Sequence, residues 1–231
     1  MGQQDGEHYE SENENQSCRI KPGEWMNMAR YGIYGSAFDP ITYAHLWTAW
    51  TVAVRRNLDK VIFVPSSDYR GDKGRKLTAG KHRWNLLQLA VADNPKFEAS
   101  DIELKAEAWE QYTHDTMEHF KRMYPHDEVF FIMGADNLAN ISSWSKGEEL
   151  IRENKFIVMA REGYNMLEII AKDPMLRNYE LDHFDLLHKG LNMEISSSYI
   201  RDEFSVGGDP RYLMPDVCYE YAKKHNVYVK R

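Results

Sequence analysis

The sequence predicts a doubly wound α/β fold, with a mainly parallel sheet covered by helices on both faces. Three observations carry this. The runs KVIFVP (60–65), EVFFIM (128–133) and KFIVMA (155–160) are apolar after their first residue rather than alternating, the pattern of strands buried on both faces. Between such runs lie longer segments with apolar residues at helical spacing. The intervals are long enough for crossover helices, which parallel neighbours require.

Taken in order, Ala29–Gly35 is read as the first strand, running into a glycine-containing turn. Ala44–Asn57 follows with helical periodicity, and Lys60–Pro65 is a short β-branched strand. Lys81–Asn94 has helical spacing through Trp84, Leu87, Leu89 and Val91. After an irregular stretch come a helix over Asp115–Tyr124 and a strand over Glu128–Met133, closed by Gly134. Glu148–Glu153 is read as helix, Lys155–Ala160 as strand, and Ser197–Phe204 and Pro215–Asn226 as the last helices. No internal repeat or Pro/Gly linker divides residues 28–231, so one Rossmann-like domain is expected. Residues 1–27 differ: GQQDGEHYESENENQS is polar, acidic and almost without aliphatic side chains, and is expected to be a disordered or poorly ordered tail.

A formal net charge of −7 argues against a general nucleic-acid binder, although a local pocket can still take small phosphates. Cys18 and Cys218 lie far apart and suggest neither a metal site nor a disulfide framework, which fits a reducing cytosol. No run approaches the ~18 apolar residues of a spanning helix, and no signal-peptide stretch opens the chain. The reading is a soluble cytoplasmic protein without membrane or nucleic-acid partners. It leaves room for a homo-oligomer.

The first strand ends in Gly32-Ile33-Tyr34-Gly35-Ser36-Ala37-Phe38-Asp39-Pro40, followed by Ile41-Thr42-Tyr43-Ala44-His45-Leu46. Gly35 and Ser36 are small where a chain leaving a strand can let a phosphate approach its backbone. Thr42 is a cap for the next helix, whose free amides and dipole favour an anion. His45 then lies in the first turn, placed to face the same phosphate. By itself His45 reads more simply as a packed core histidine; the whole string is more specific. Neither G-x-G-x-x-G nor G-x-x-x-x-G-K-[ST] is present after this strand, which disfavours dinucleotide and P-loop sites.

A second anion-binding segment is Glu194-Ile195-Ser196-Ser197-Ser198-Tyr199-Ile200-Arg201. Serine before an apolar-periodic run is a cap signal, and helix-end amides, hydroxyls and a guanidinium make a dense phosphate site. A capped surface helix is the plainer alternative. Between the two, Asp136 follows a strand end, where a carboxylate can accept a ribose hydroxyl or cap a helix. Trp144 sits in a Ser-rich loop, as a stacking platform or a packing residue. Thr113 opens a helix whose free amides could meet a carboxylate, and Arg161 follows another strand, as a phosphate ligand or a solvated charge. Lys73 and Arg75 lie in the loop Ser66–Thr78, read as a mobile charged loop or a loosely assigned phosphate contact.

The first string resembles the G-x-F-D-P-x-[HT]-x-G-H signature of the nucleotidyltransferase superfamily, with Thr42 for its first histidine and Ala44 for its glycine. The second resembles that superfamily's I-S-S-[ST]-x-x-R motif. With Y-T-x-D-T at Tyr112–Thr116, G-A-D at Gly134–Asp136, Trp144 and A-R-x-G-Y at Ala160–Tyr164, the chain looks like a bacterial nicotinate-nucleotide adenylyltransferase from about Tyr31 to Tyr228. The resemblance implies a transfer of AMP from ATP to nicotinate mononucleotide, giving deamido-NAD and pyrophosphate. It implies catalytic roles for Thr42, His45 and Arg201 at the triphosphate, and an ATP site completed by Gly35, Ser36, Phe38, Ser196, Ser197, Ser198 and Asp136. Thr113, Trp144 and Arg161 would take the mononucleotide. Mg²⁺ is expected to come with ATP, without an all-protein metal cage. Two rivals remain: another adenylyl- or cytidylyltransferase with a different phosphate substrate, and a nucleotide sensor without turnover, for which Ala44 would be the mark.

Overall fold

The structure, a computed structural model, describes residues 28–68, 76–105, 112–188 and 193–229. The expected tail, residues 1–27, lies outside the described residues, as do Lys73 and Arg75.

Six parallel strands form one sheet in the order β3-β2-β1-β4-β5-β6. They are β1 (Arg30–Ser36), β2 (Lys60–Pro65), β3 (Phe97–Ala99), β4 (Glu128–Gly134), β5 (Lys155–Met159) and β6 (Phe184–Leu187). The crossovers run through α1 (Tyr43–Arg55), α2 (Gly80–Val91), α3 (Ile102–Lys105), α4 (Thr113–Met123), α5 (Ala135–Leu138), α6 (Gly147–Glu153), α7 (Met166–Lys172), α8 (Pro174–Asn178) and α9 (Glu180–His183). Two further helices, α10 (Ser197–Ser205) and α11 (Asp216–Lys224), follow β6.

The central strands split their apolar runs between two cores. Val61 and Phe63 of β2, with Phe130 and Ile132 of β4, pack against Val52 of α1, Leu87 of α2, Ile200 of α10 and Tyr219 of α11. Ile62 and Val64, with Phe131 and Met133, face Met117 and Phe120 of α4, Ile151 of α6 and Ile170 of α7 on the other side. A strand that alternates between two covered faces has no polar side to show, hence the unbroken apolar runs.

The strand order reverses between β1 and β4, and this decides where a ligand can sit. Crossovers from β1 and β4 leave in opposite directions, opening a crevice beyond their carboxyl ends. In a parallel sheet each following helix starts at that same edge, so the beginnings of α1, α4, α5 and α6 all lie there. Among the described residues no helix is long and apolar enough to cross a membrane.

Sequence and structure differ mainly at the sheet edges and between β5 and α10. β3 and β6 were not expected, nor were α3, α5 and α7–α9. The other elements fall within a few residues of their expected bounds, and Lys60–Pro65 coincides with β2.

Candidate active site

At the end of β1 the chain passes through Gly35 and Ser36, and the Ser36 carbonyl accepts the Ser66 N–H at 2.9 Å. Phe38 adopts φ +44°, unusual for a residue with a β-carbon. Its ring is buried, edge-on to His45 with centroids 5.1 Å apart. Any contact of Phe38 with a nucleotide is therefore through its backbone.

Thr42 caps α1 as expected, within a reciprocal capping box. The His45 N–H donates to Thr42 Oγ1 at 3.4 Å, and the Thr42 N–H donates to His45 Nδ1 at 3.1 Å. A backbone N–H can only donate, so Nδ1 is an acceptor and the ring proton of neutral His45 sits on Nε2. Burial, helped by the Arg161 charge, pushes the His45 pKa down to about 4. At neutral pH the ring offers a fixed N–H donor without net charge. Thr42 differs from expectation in what it faces: it is fully buried and its hydroxyl lies 2.9 Å from His45 Nδ1. It holds the histidine rather than a ligand.

The second motif docks on the first. Ser196 caps α10, accepting the Tyr199 N–H at 3.1 Å. Ser197 Oγ donates to the Pro40 carbonyl at 2.8 Å, and Arg201 Nη1 donates to the Asp39 carbonyl at 2.5 Å. Arg201 Nη2 also donates to Ser198 Oγ at 2.9 Å. Two helix N-termini, those of α1 and α10, thus converge on one loop. Each is favourable for an anion by about 0.3–1 kcal/mol at an exposed site, and by more where water is excluded.

On the β4 side, Asp136 opens α5 and turns back over Gly134, where an added β-carbon would overlap its Oδ1. That oxygen is buried without a hydrogen bond, with Arg161 Nη1 3.3 Å away as its ion-pair partner. Arg161 leads a tight turn closed by its bridge to Tyr164, with Gly163 at φ +81°, and its side chain is 63% exposed. It can therefore swing to a ligand.

Thr113 begins α4 and is half-buried; just before it the Tyr112 N–H donates to Asp115 Oδ2 at 3.4 Å. Trp144 is half-buried and edge-on to Phe131 at 6.4 Å, so one side of its indole packs on the core. Lys146, at φ +55°, joins the Trp144 loop to α4 through a 2.5 Å ion pair with Asp115. His114, Glu118 and Glu153 also converge closely enough to meet a metal ion. That surface set already satisfies itself, with His114 Nε2 3.0 Å from Glu153 and Lys121 paired to Glu118.

The family model for cytidylyltransferase-like proteins matches residues 33–203. A protein of Clostridium tetani named probable nicotinate-nucleotide adenylyltransferase is 32% identical over 201 residues, spanning 87% of this chain and 100% of that protein. One of the same name from Thermoanaerobacter is 36% identical, over 87% of this chain and 95% of its own. This chain belongs to the nicotinate-nucleotide adenylyltransferase family. The solved structure of Plasmodium falciparum nicotinic acid mononucleotide adenylyltransferase complexed with NaAD matches with a TM-score of 0.71 at 25% identity, over 87% of this chain and 97% of that one.

Among the described residues, those singled out from sequence lie at the end of β1 or on segments that follow β1, β3, β4, β5 and β6. Two residues that tie these segments together were missed: Lys146 and Arg83. For Arg83 a signal existed, because it falls in step with Leu86, Leu87 and Ala90 on the apolar stripe of α2.

Proposed function

We propose that the chain transfers the adenylyl group of ATP to nicotinate mononucleotide, forming deamido-NAD and pyrophosphate. The observation that carries this reading is the docking of α10 on the Asp39–Pro40 loop at the switch point. It brings two sequence motifs, each with a helix N-terminus, onto one loop. The family relatives and the neighbour complexed with NaAD support the same substrates.

A phosphate oxygen of the mononucleotide attacks the α-phosphorus of ATP. The bond to the bridging oxygen breaks, and pyrophosphate leaves with that electron pair. The nucleophile is already an anion, so no general base is needed; alignment and charge neutralisation carry the rate. His45 Nε2–H, the helix-end amides and Arg201 face the triphosphate. Asp136 exchanges Arg161 for an adenosine ribose hydroxyl, releasing the guanidinium to the mononucleotide phosphate. Trp144 covers the pyridine ring, and the N-terminus of α4 at Thr113 lies near its carboxylate. Mg²⁺, held by the phosphates of ATP and by water, would supply further charge neutralisation there.

Pyrophosphate release, measured with ATP against a panel of mononucleotides and phosphate esters, tests the proposal. Release with nicotinate mononucleotide supports it. Release with phosphopantetheine alone would assign the chain to another transfer, and nucleotide binding without release would make it a sensor.

A further inference from the structure

Arg83 is fully buried, yet the chemistry just described does not touch it. Its guanidinium ties three segments together. Nε donates to the Thr78 carbonyl at 2.8 Å, Nη1 to the Ala37 carbonyl at 2.8 Å, and Nη2 to the Ser66 carbonyl at 2.7 Å and to Asp68 Oδ1 at 2.6 Å. A guanidinium survives such burial only when its N–H groups are matched. Here the partners sit where the chain leaves β1 and β2, and just before α2. Asp39 Oδ2 accepts the Thr78 N–H at 3.3 Å, so the signature loop is pinned to the same strut.

The bond to Ala37 is the informative one. The next residue, Phe38, has φ +44°, a region that residues with a β-carbon avoid. Turning over the peptide between them would relieve Phe38, carrying its φ into the extended region. Because the peptide is planar and trans, its carbonyl and N–H point to opposite sides. With the Ala37 oxygen held by Arg83, the Phe38 N–H is directed away from Arg83. In the relaxed alternative a carbonyl oxygen would occupy that direction and repel a phosphate.

We propose that Arg83 is a positioning residue for ATP: it locks the Ala37–Phe38 peptide so that the Phe38 N–H, not a carbonyl, faces the triphosphate. This rests on reading the crevice as the ATP site. Arg83 acts through the peptide and never meets the nucleotide itself.

The test is calorimetric binding of a non-hydrolysable ATP analogue, and separately of nicotinate mononucleotide, to wild type, Arg83→Lys and Asp68→Asn. Lysine keeps the charge but cannot reach all the partners. Asp68 is 45% exposed on its side chain, so its amide variant keeps the fold while loosening the strut. Arg83→Lys should weaken the analogue about tenfold or more, and Asp68→Asn several-fold, with mononucleotide affinity within about twofold of wild type. Guanidinium ion at millimolar concentration should restore part of the lost affinity to Arg83→Ala. Unchanged analogue affinity in a folded variant, or equal loss for both ligands, overturns the proposal. If the Arg83 variants do not fold, Asp68→Asn decides by the same criterion. Wild type that binds the analogue but releases no pyrophosphate sinks the transferase reading alone. Wild type that does not bind the analogue overturns both.

Discussion

At the scale of single residues, His45 shows how a local hydrogen bond sets chemistry. Its Nδ1 serves the α1 cap, so the opposite nitrogen carries the proton and points its N–H elsewhere. In the ligand-free protein, a histidine titration by NMR should give His45 a midpoint of about 4 rather than 6.5. Removing the Arg161 charge by Arg161→Ala should raise that midpoint modestly, since burial is the larger cause. The unfolded chain binds the His45 proton from about pH 6.5 downward and the folded chain only near 4, so the unfolded state holds more protons in between. This group therefore makes the native state lose stability as pH falls through that window and contributes no pH dependence above it. A His45 midpoint near 6.5 would remove the fixed-donor account. His45→Ala should lower kcat by about 10²-fold or more, as for the loss of a preorganised donor to developing charge. Turnover at the wild-type rate would make it a packing residue.

At the scale of elements, the sequence disclosed the central strands and hid the edge ones. β2, β4 and β5 are buried on both faces and need continuous apolar runs, whereas β3 and β6 close the two edges. Phe97–Ala99 has three residues, and Phe184–Leu187 carries Asp185 within a polar stretch, so neither offers a periodic signal. Helices α7–α9 are short and joined almost end to end, too brief for a 3.6-residue repeat to declare itself. The candidate site was legible where residue types are scarce and ordered, as in Ser196–Arg201. It was hidden where a contact joins distant segments, as for Lys146 and Asp115. The loop before α6 carries its own prediction. Base–aromatic stacking is worth about 1–3 kcal/mol, so Trp144→Ala should weaken mononucleotide binding roughly tenfold to a hundredfold and leave ATP nearly unchanged. Competition binding reads both, and unaltered mononucleotide affinity would leave Trp144 to its contact with Phe131. Across the crevice, Arg201→Ala should impair the use of ATP, and Arg161→Ala should chiefly raise KM for the mononucleotide. Equal effects on both substrates from each change would undo that division of labour.

At the scale of the whole molecule, the strand order puts the pieces in one place. Residues as far apart as Gly35 and Arg201 share a site because β1 and β4 lie side by side and α10 returns to the loop after β1. That convergence was implicit in the sequence only as two separate anion signals, since periodicity does not say which strands are neighbours. The same geometry makes a statement about substrate. In the proposed site the mononucleotide meets the N-terminus of α4, whose free amides favour a carboxylate over a neutral amide. Nicotinate mononucleotide should therefore have a higher kcat/KM than its amide analogue. The most direct measurement is ³¹P NMR of the protein mixed with Mg²⁺-ATP and nicotinate mononucleotide. The account predicts loss of the triphosphate and monophosphate signals, with matching growth of inorganic pyrophosphate and of the dinucleotide's diphosphate diester. An unchanged spectrum, or pyrophosphate appearing without that diester, would contradict it.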